Sequence, residues 1–115
     1  MAFKRGEIYL ANFNPSKGTE AGKIRPCIIM QSDLLNAAEH PSTTVLPLTT
    51  QLINDAAPLR YRITSRDNLQ KDSDVMLDQA RTIDNRRISA KALTVLSTAE
   101  LLQVDELWKI VLGID

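Results

Sequence analysis

Short apolar runs alternate with turn-rich polar stretches along most of the chain, and a helical period appears only at its end. Residues 5–10 read as a first strand. Residues 12–23 form a polar loop with Asn14-Pro15-Ser16 and the glycines Gly18 and Gly22. Residues 26–31 are a strongly apolar strand that opens on Pro26, where a missing N–H is tolerated. Residues 32–40 suit a short helix capped by Ser32 or Asp33. Residues 43–48 are another strand, which Pro47 assigns to an edge, a bulge or an early end. Residues 59–64 alternate, with Leu59, Tyr61 and Ile63 on one face and Arg60, Arg62 and Thr64 on the other. Residues 74–77 and 93–96 are further short strands. Between them, Thr82 and Asp84 sit in a turn-like stretch with Asn85, where local side-chain-to-backbone bonding is the default. Gln79 and Arg81 share a face if the strand before them continues.

Ser97-Thr98-Ala99-Glu100 is a capping box, in which Ser97 accepts from the Glu100 N–H and Glu100 reaches back. Leu101, Val104, Trp108, Val111 and Leu112 then recur at helical spacing, and Gly113 is placed to end the helix. Many strands and one terminal amphipathic helix imply a mainly β (α+β) fold, a small barrel or strongly curved sheet with that helix packed on it.

A chain of 115 residues is expected to be one domain, 1–115, with a single core. Hydrophobic content of 43% and charged content of 24% are those of an ordinary globular protein. No apolar run approaches the roughly 18 residues a membrane-spanning helix needs. Met1-Ala2-Phe3-Lys4-Arg5 has no apolar core of a signal peptide, and the single cysteine, Cys27, builds no disulfide within the chain. A cytoplasmic location is therefore expected. Net charge is zero, but its distribution is uneven. Lys4, Arg5, Lys17, Lys23 and Arg25 outnumber Glu7 and Glu20 early on, and Arg81, Arg86, Arg87 and Lys91 outnumber Asp84 later. The end is acidic, with Glu100, Asp105, Glu106 and Asp115 against Lys109. This pattern fits either a solvated mixed surface or a local basic face of the kind that phosphate binding needs.

Most common chemistries are unsupported. His40 is the only histidine, and no H-x-x-H or C-x-x-C spacing exists, so no zinc site is expected. Asp72, Asp74 and Asp78 lie close together and read as a solvated acidic edge, with a magnesium site as the alternative. Cys27 follows a proline within an apolar strand, where a thiol behaves as a small hydrophobe. Gly18 and Gly22 make no phosphate-binding loop signature. What remains is a chemistry of Arg, Thr and Glu. RNA permits it by supplying its own nucleophile, the ribose 2′-OH. Arginine can hold two phosphate oxygens in its planar fork, a threonine hydroxyl can donate to a third, and a carboxylate can take the 2′-OH proton. Arg25 can equally pair with a surface acid, Thr49 can cap a turn, and Glu20 can be a solvated loop acid.

Three segments resolve the choice by resemblance: Gly18-Thr19-Glu20-Ala21-Gly22-Lys23-Ile24-Arg25-Pro26, Pro47-Leu48-Thr49-Thr50-Gln51, and Asp78-Gln79-Ala80-Arg81-Thr82-Ile83-Asp84. Together they resemble the MazF/PemK/Kid family of toxin endoribonucleases, from Arg5-Gly6-Glu7-Ile8-Tyr9 to Leu112-Gly113-Ile114. The resemblance implies an SH3-like, CcdB-like barrel. It implies the toxin of a type II toxin–antitoxin system that cleaves single-stranded mRNA without metal or other cofactor, leaving 2′,3′-cyclic phosphate and 5′-OH ends. It makes Arg25, Thr49 and Glu20 the catalytic residues: Arg25 stabilises the phosphorane, Thr49 rather than Thr50 binds the scissile phosphate, and Glu20 is the acid of the gating loop. It assigns RNA binding to Lys17, Thr19, Lys23, Thr50, Gln51, Asp78, Gln79 and Arg81. Its implied partners are a second copy of the chain, in a homodimer, and an acidic antitoxin whose tail enters a groove lined by Lys17, Lys23, Arg25 and Arg81. Thr19 and Met76 depart from relatives that carry a histidine and a basic residue there, so a His/Asp mechanism is not implied. The alternative is a CcdB-like gyrase poison that binds without cutting, and the ending Leu112-Gly113-Ile114-Asp115 matches its pattern only superficially.

Overall fold

Seven strands and two helices make up the chain in a computed structural model that describes residues 2–114. In order they are β1 (Glu7–Asn12), β2 (Ile24–Ile29), α1 (Asp33–Ala37), β3 (Ser42–Thr49), β4 (Arg60–Ile63), β5 (Ser73–Met76), β6 (Arg81–Asp84), β7 (Ile88–Val95) and α2 (Thr98–Leu112). All pairings are antiparallel, in the order β4-β5-β3-β2-β1-β7, with β6 also on β3. The fold is thus a mainly β antiparallel sheet with a C-terminal helix, as expected.

Both faces of the central strands are covered, which is why Cys27-Ile28-Ile29-Met30 is a continuous apolar run instead of an alternating one. Ile8, Ile28, Leu46, Leu48 and Val75 face the cluster that α2 closes. Tyr9, Cys27, Ile29 and Val45 face a second cluster completed by Phe3, Phe13, Ile83 and Ile88. The capping box of α2 forms, and Gly113 ends the helix at φ 74. Leu101, Val104, Leu107, Trp108 and Val111 face the core, whereas Leu112 is half-exposed, so Leu107 completes the apolar stripe. No helix of the described residues is long and apolar enough to cross a membrane.

Three expectations are corrected. Pro47 lies in the central strand, not at an edge. On one side β3 pairs with β2 at Cys27↔Pro47. On the other, β6 pairs with residues 42–45 and β5 with Leu48 and Thr49. Pro47 falls in the gap between those two partners, where no ladder bond is lost on that side. Pro26 is the third residue of β2, not its opening. It pairs with Leu10 on one side, and pairing to β3 begins only at Cys27. Arg81–Asp84 is a strand where a turn was expected, held by Ser42↔Asp84 through Val45↔Arg81 and by burial of Ile83. The turn signal belongs one step later: the Asp84 side chain accepts from Arg86 N and caps a 3-10 turn at Asn85–Arg87.

Candidate active site

Strands β2 and β3 pair only over Cys27–Ile29 and then part. Continuing that register sets Arg25 opposite Thr49 at the mouth of the opening. A cleft of about 550 Å³ fills the gap, and both residues line it. Thr19 and Lys23 enter from the loop before β2, Thr50 and Gln51 from the turn after β3, and Asp78 and Gln79 from the turn after β5. Pro26, Leu48, Ser73 and Met76 also line it. The position where some relatives carry a basic residue is therefore a buried thioether, Met76.

Among the described residues, the half-buried Arg25 guanidinium is held only by main-chain oxygens. Its Nε donates to Gly22 O at 2.7 Å and its Nη1 to Leu48 O at 3.3 Å. An arginine has five N–H donors, so three are left for a ligand. Burial pulls its pKa down from the ordinary arginine value, and no carboxylate among the described residues lies within 4.0 Å to push it back. It remains a cation throughout the physiological range. Thr49 Oγ1 accepts from Gln51 N at 3.1 Å, which fixes the hydroxyl oxygen and leaves its proton free to donate.

The cations divide by location. Arg5, Arg60, Arg62, Arg66 and Arg86 are each tied to an acid, respectively Asp105, Asp74, Asp74, Glu100 and Asp84. Around the loop before β2 they are not. Arg81 donates to Phe13 O at 2.8 Å and Arg87 to Asn14 O at 2.8 Å, so these guanidiniums fasten the loop through neutral carbonyls. Lys17 and Lys23 have no ion-pair partner among the described residues. The uneven charge of the sequence thus becomes a locally uncompensated basic face.

Two expected placements differ. Glu20 does not reach the main cleft; it lines a smaller one with Ala21, Gln79 and Arg81. Its Oε1 accepts from Lys17 N at 2.8 Å while its own N–H donates to Lys17 O, and this tight turn ties the two residues to each other. Lys17 lines neither cleft, so the expected groove of Lys17, Lys23, Arg25 and Arg81 is divided between two adjoining clefts and the loop surface. Ala21 and Gln79 line both clefts and join them. Asp72, Asp74 and Asp78 are dispersed. Asp72 caps Ser65 N, Asp78 stands at the cleft rim, and Asp74 is buried. Burial pushes the Asp74 carboxyl up, but bonds from Arg62, from Ile53 N and from Arg60 outweigh this and hold it below its ordinary value.

Arg60 is a cleft residue that the sequence pattern does not mark. Its Nη1 donates to Gln51 O at 3.0 Å and so braces the turn next to Thr49. In sequence it looks like the solvated face of an alternating strand, and only the order β4-β5-β3 brings it across.

A family model for the PemK-like, MazF-like toxins of type II toxin-antitoxin systems matches residues 4–112. The chain belongs to this toxin family. It is 37% identical over 114 residues to the endoribonuclease MazF of Staphylococcus epidermidis, covering 97% of this chain and 92% of that one. Its fold is similar to a crystal structure of MazF from Deinococcus radiodurans, with a TM-score of 0.82 at 21% identity over 99% of both chains. An endoribonuclease in complex with its cognate antitoxin from a mycobacterial species superposes with a TM-score of 0.77 at 18% identity, over 99% of this chain and 98% of that one. The gyrase-poison alternative is not favoured by this membership.

Proposed function

We propose that this toxin-family member is a metal-independent endoribonuclease that cleaves single-stranded mRNA in the cytoplasm and is held in check by an acidic antitoxin. The observation that carries the reading is the Arg25–Thr49 pair: an arginine without an acid partner and a threonine with a free hydroxyl proton, on two rigid strands across one cleft. Membership of the toxin family and likeness to a named endoribonuclease support it.

In this mechanism Thr49 donates to a nonbridging oxygen of the scissile phosphate and positions it. The 2′-OH of the preceding ribose gives up its proton, attacks phosphorus in line and expels the 5′-oxygen, which takes a proton from solvent and leaves as the 5′-OH. Negative charge grows on the equatorial oxygens, and the Arg25 fork, already desolvated and uncompensated, stabilises it there. Asp78 is the carboxylate that lines the cleft in this geometry and can accept the 2′-OH proton, while Glu20 does so only after its loop turns inward. Lys23 adds positive potential along the wall, while Arg60, paired with Asp74, braces the turn beside Thr49. The chain acts as a homodimer, and an acidic antitoxin segment competes with RNA for the basic face.

Incubating the protein with single-stranded RNA in excess EDTA tests this. Cleavage persists, with 2′,3′-cyclic phosphate and 5′-OH ends, if the reading is right. Activity abolished by EDTA, or 5′-phosphate products, overturns it.

A further inference from the structure

The residue that aims Arg25 is itself held by a side chain outside the cleft lining. The Gly22 carbonyl that takes the Arg25 Nε–H belongs to the same planar peptide unit as the Lys23 N–H. That N–H donates to Asn14 Oδ1 at 2.8 Å. One rigid plane therefore carries Asn14 on one edge and Arg25 on the other. The plane cannot rotate to release Arg25 without breaking the Asn14 bond. The backbone beside it is unusual: Lys23 has φ 68, the left-handed region that non-glycine residues seldom occupy. Such a conformation persists where its surroundings over-determine it. Here Asn14 holds the Lys23 N–H, Phe13 N donates to Lys23 O at 2.9 Å, and Gln79 Oε1 accepts from Ala21 N at 3.0 Å on the other flank.

We infer that Asn14 is a positioning residue for the cleavage reaction, orienting the Arg25 guanidinium through the Gly22–Lys23 peptide plane. The usual way to orient an arginine is a carboxylate, which would neutralise the charge the phosphate needs. A neutral amide acting through a neutral peptide fixes direction and leaves the charge intact. Asn14 touches neither cleft, and its role is carried entirely by that plane.

The inference rests on the proposed nuclease reading, but its first test does not need RNA. In ¹⁵N spectra of the free protein, the Arg25 Nε–Hε signal shifts and broadens in Asn14→Ala and stays at its parent position in Asn14→Asp, which keeps an acceptor oxygen. In cleavage assays Asn14→Ala lowers kcat about tenfold to hundredfold with KM changed by less than about threefold, and Asn14→Asp, which keeps the acceptor but adds a charge, returns only part of the lost kcat. An unchanged Arg25 signal in Asn14→Ala overturns the inference. So does a loss confined to KM, or a folded Asn14→Asp that recovers none of the lost kcat. If the parent protein does not cut RNA, the nuclease reading fails while the spectral arm still decides whether Asn14 aims Arg25.

Discussion

Replacing Arg25 by alanine is expected to separate chemistry from stability, because the proposed role gives the residue much of the first and its contacts give it little of the second. Its folded-state contacts are two bonds to carbonyl oxygens, one of them long at 3.3 Å, and no ion pair. Each is a charge-assisted bond worth about 1.5 kcal/mol or more net, one of them weakened by its length, and relief of a desolvated, unpaired cation works against that loss. The expected change in stability is about 1–2 kcal/mol, a shift of roughly 4–8 °C in Tm for a chain of this size. In the transition state the same side chain offers three further N–H donors to developing negative charge. Loss of even one preorganised donor of this kind costs about 2.7–4 kcal/mol, or 10²–10³ in rate. The assay is single-turnover cleavage of an end-labelled RNA under saturating protein, with a thermal melt of the same samples. Arg25→Lys keeps the charge but not the fork, and is expected to recover only a small part of the rate. A rate for Arg25→Ala within tenfold of the parent would refute the assignment. A rate loss accompanied by collapse of Tm would show that Arg25 is structural.

Gly22→Ala places a Cβ 2.5 Å from Ser16 Oγ and displaces the carbonyl that holds Arg25; cleavage should fall about tenfold or more at nearly unchanged Tm. Ser16→Gly in the same chain should restore part of it, and failure to do so would place the effect elsewhere. Arg66 hydrogen bonding, helped by Ser97, holds the Glu100 carboxyl down to about 2 from an ordinary 4.5. The stability this gives is fully present above pH 4.5 and drains away as pH falls toward 2, so the urea midpoint of Glu100→Gln should be flatter than the parent's across that window. Equal slopes would mean the pair contributes nothing to folding. Trp108 packs on the core with its indole N–H buried and without a partner among the described residues. Trp108→Ala should therefore cost about 3 kcal/mol, while Trp108→Phe, which deletes that N–H, should cost about 1 kcal/mol or less by chemical denaturation. Similar losses in the two variants would reveal a partner for the N–H.

The parts of this molecule legible in sequence are those whose cause is local. The capping box at Ser97–Glu100 and the stop at Gly113 depend on residues a few positions apart, and they form as expected. Arg25 and Thr49 were legible as motif residues, but not as neighbours, because their approach depends on where β2 and β3 stop pairing. Pro47 misled because a proline argues against a central strand unless one side is free, and the handover from β6 to β5 is a long-range fact. Arg60 was hidden for the same reason. The bond between Lys23 N and Asn14 was invisible because a left-handed backbone at a lysine carries no composition signal. Glu20 was read by its place in a motif, whereas its loop in this state closes on Lys17.

The handover along β3 has a further consequence for how such proteins diversify. An inserted or deleted residue between Val45 and Thr49 would reverse every later side chain of the strand and break Cys27↔Pro47 together with Leu48↔Val75. Length change is tolerated instead in the connections that rim the cleft, before Ile24 and between Thr49 and Arg60. The proposed cutting groups thus sit on the part of the chain that cannot drift, and the surfaces proposed to meet flanking nucleotides sit on the parts that can. A nuclease partitioned this way is free to acquire new targets by lengthening or recolouring its loops, while the reaction it performs is inherited unchanged.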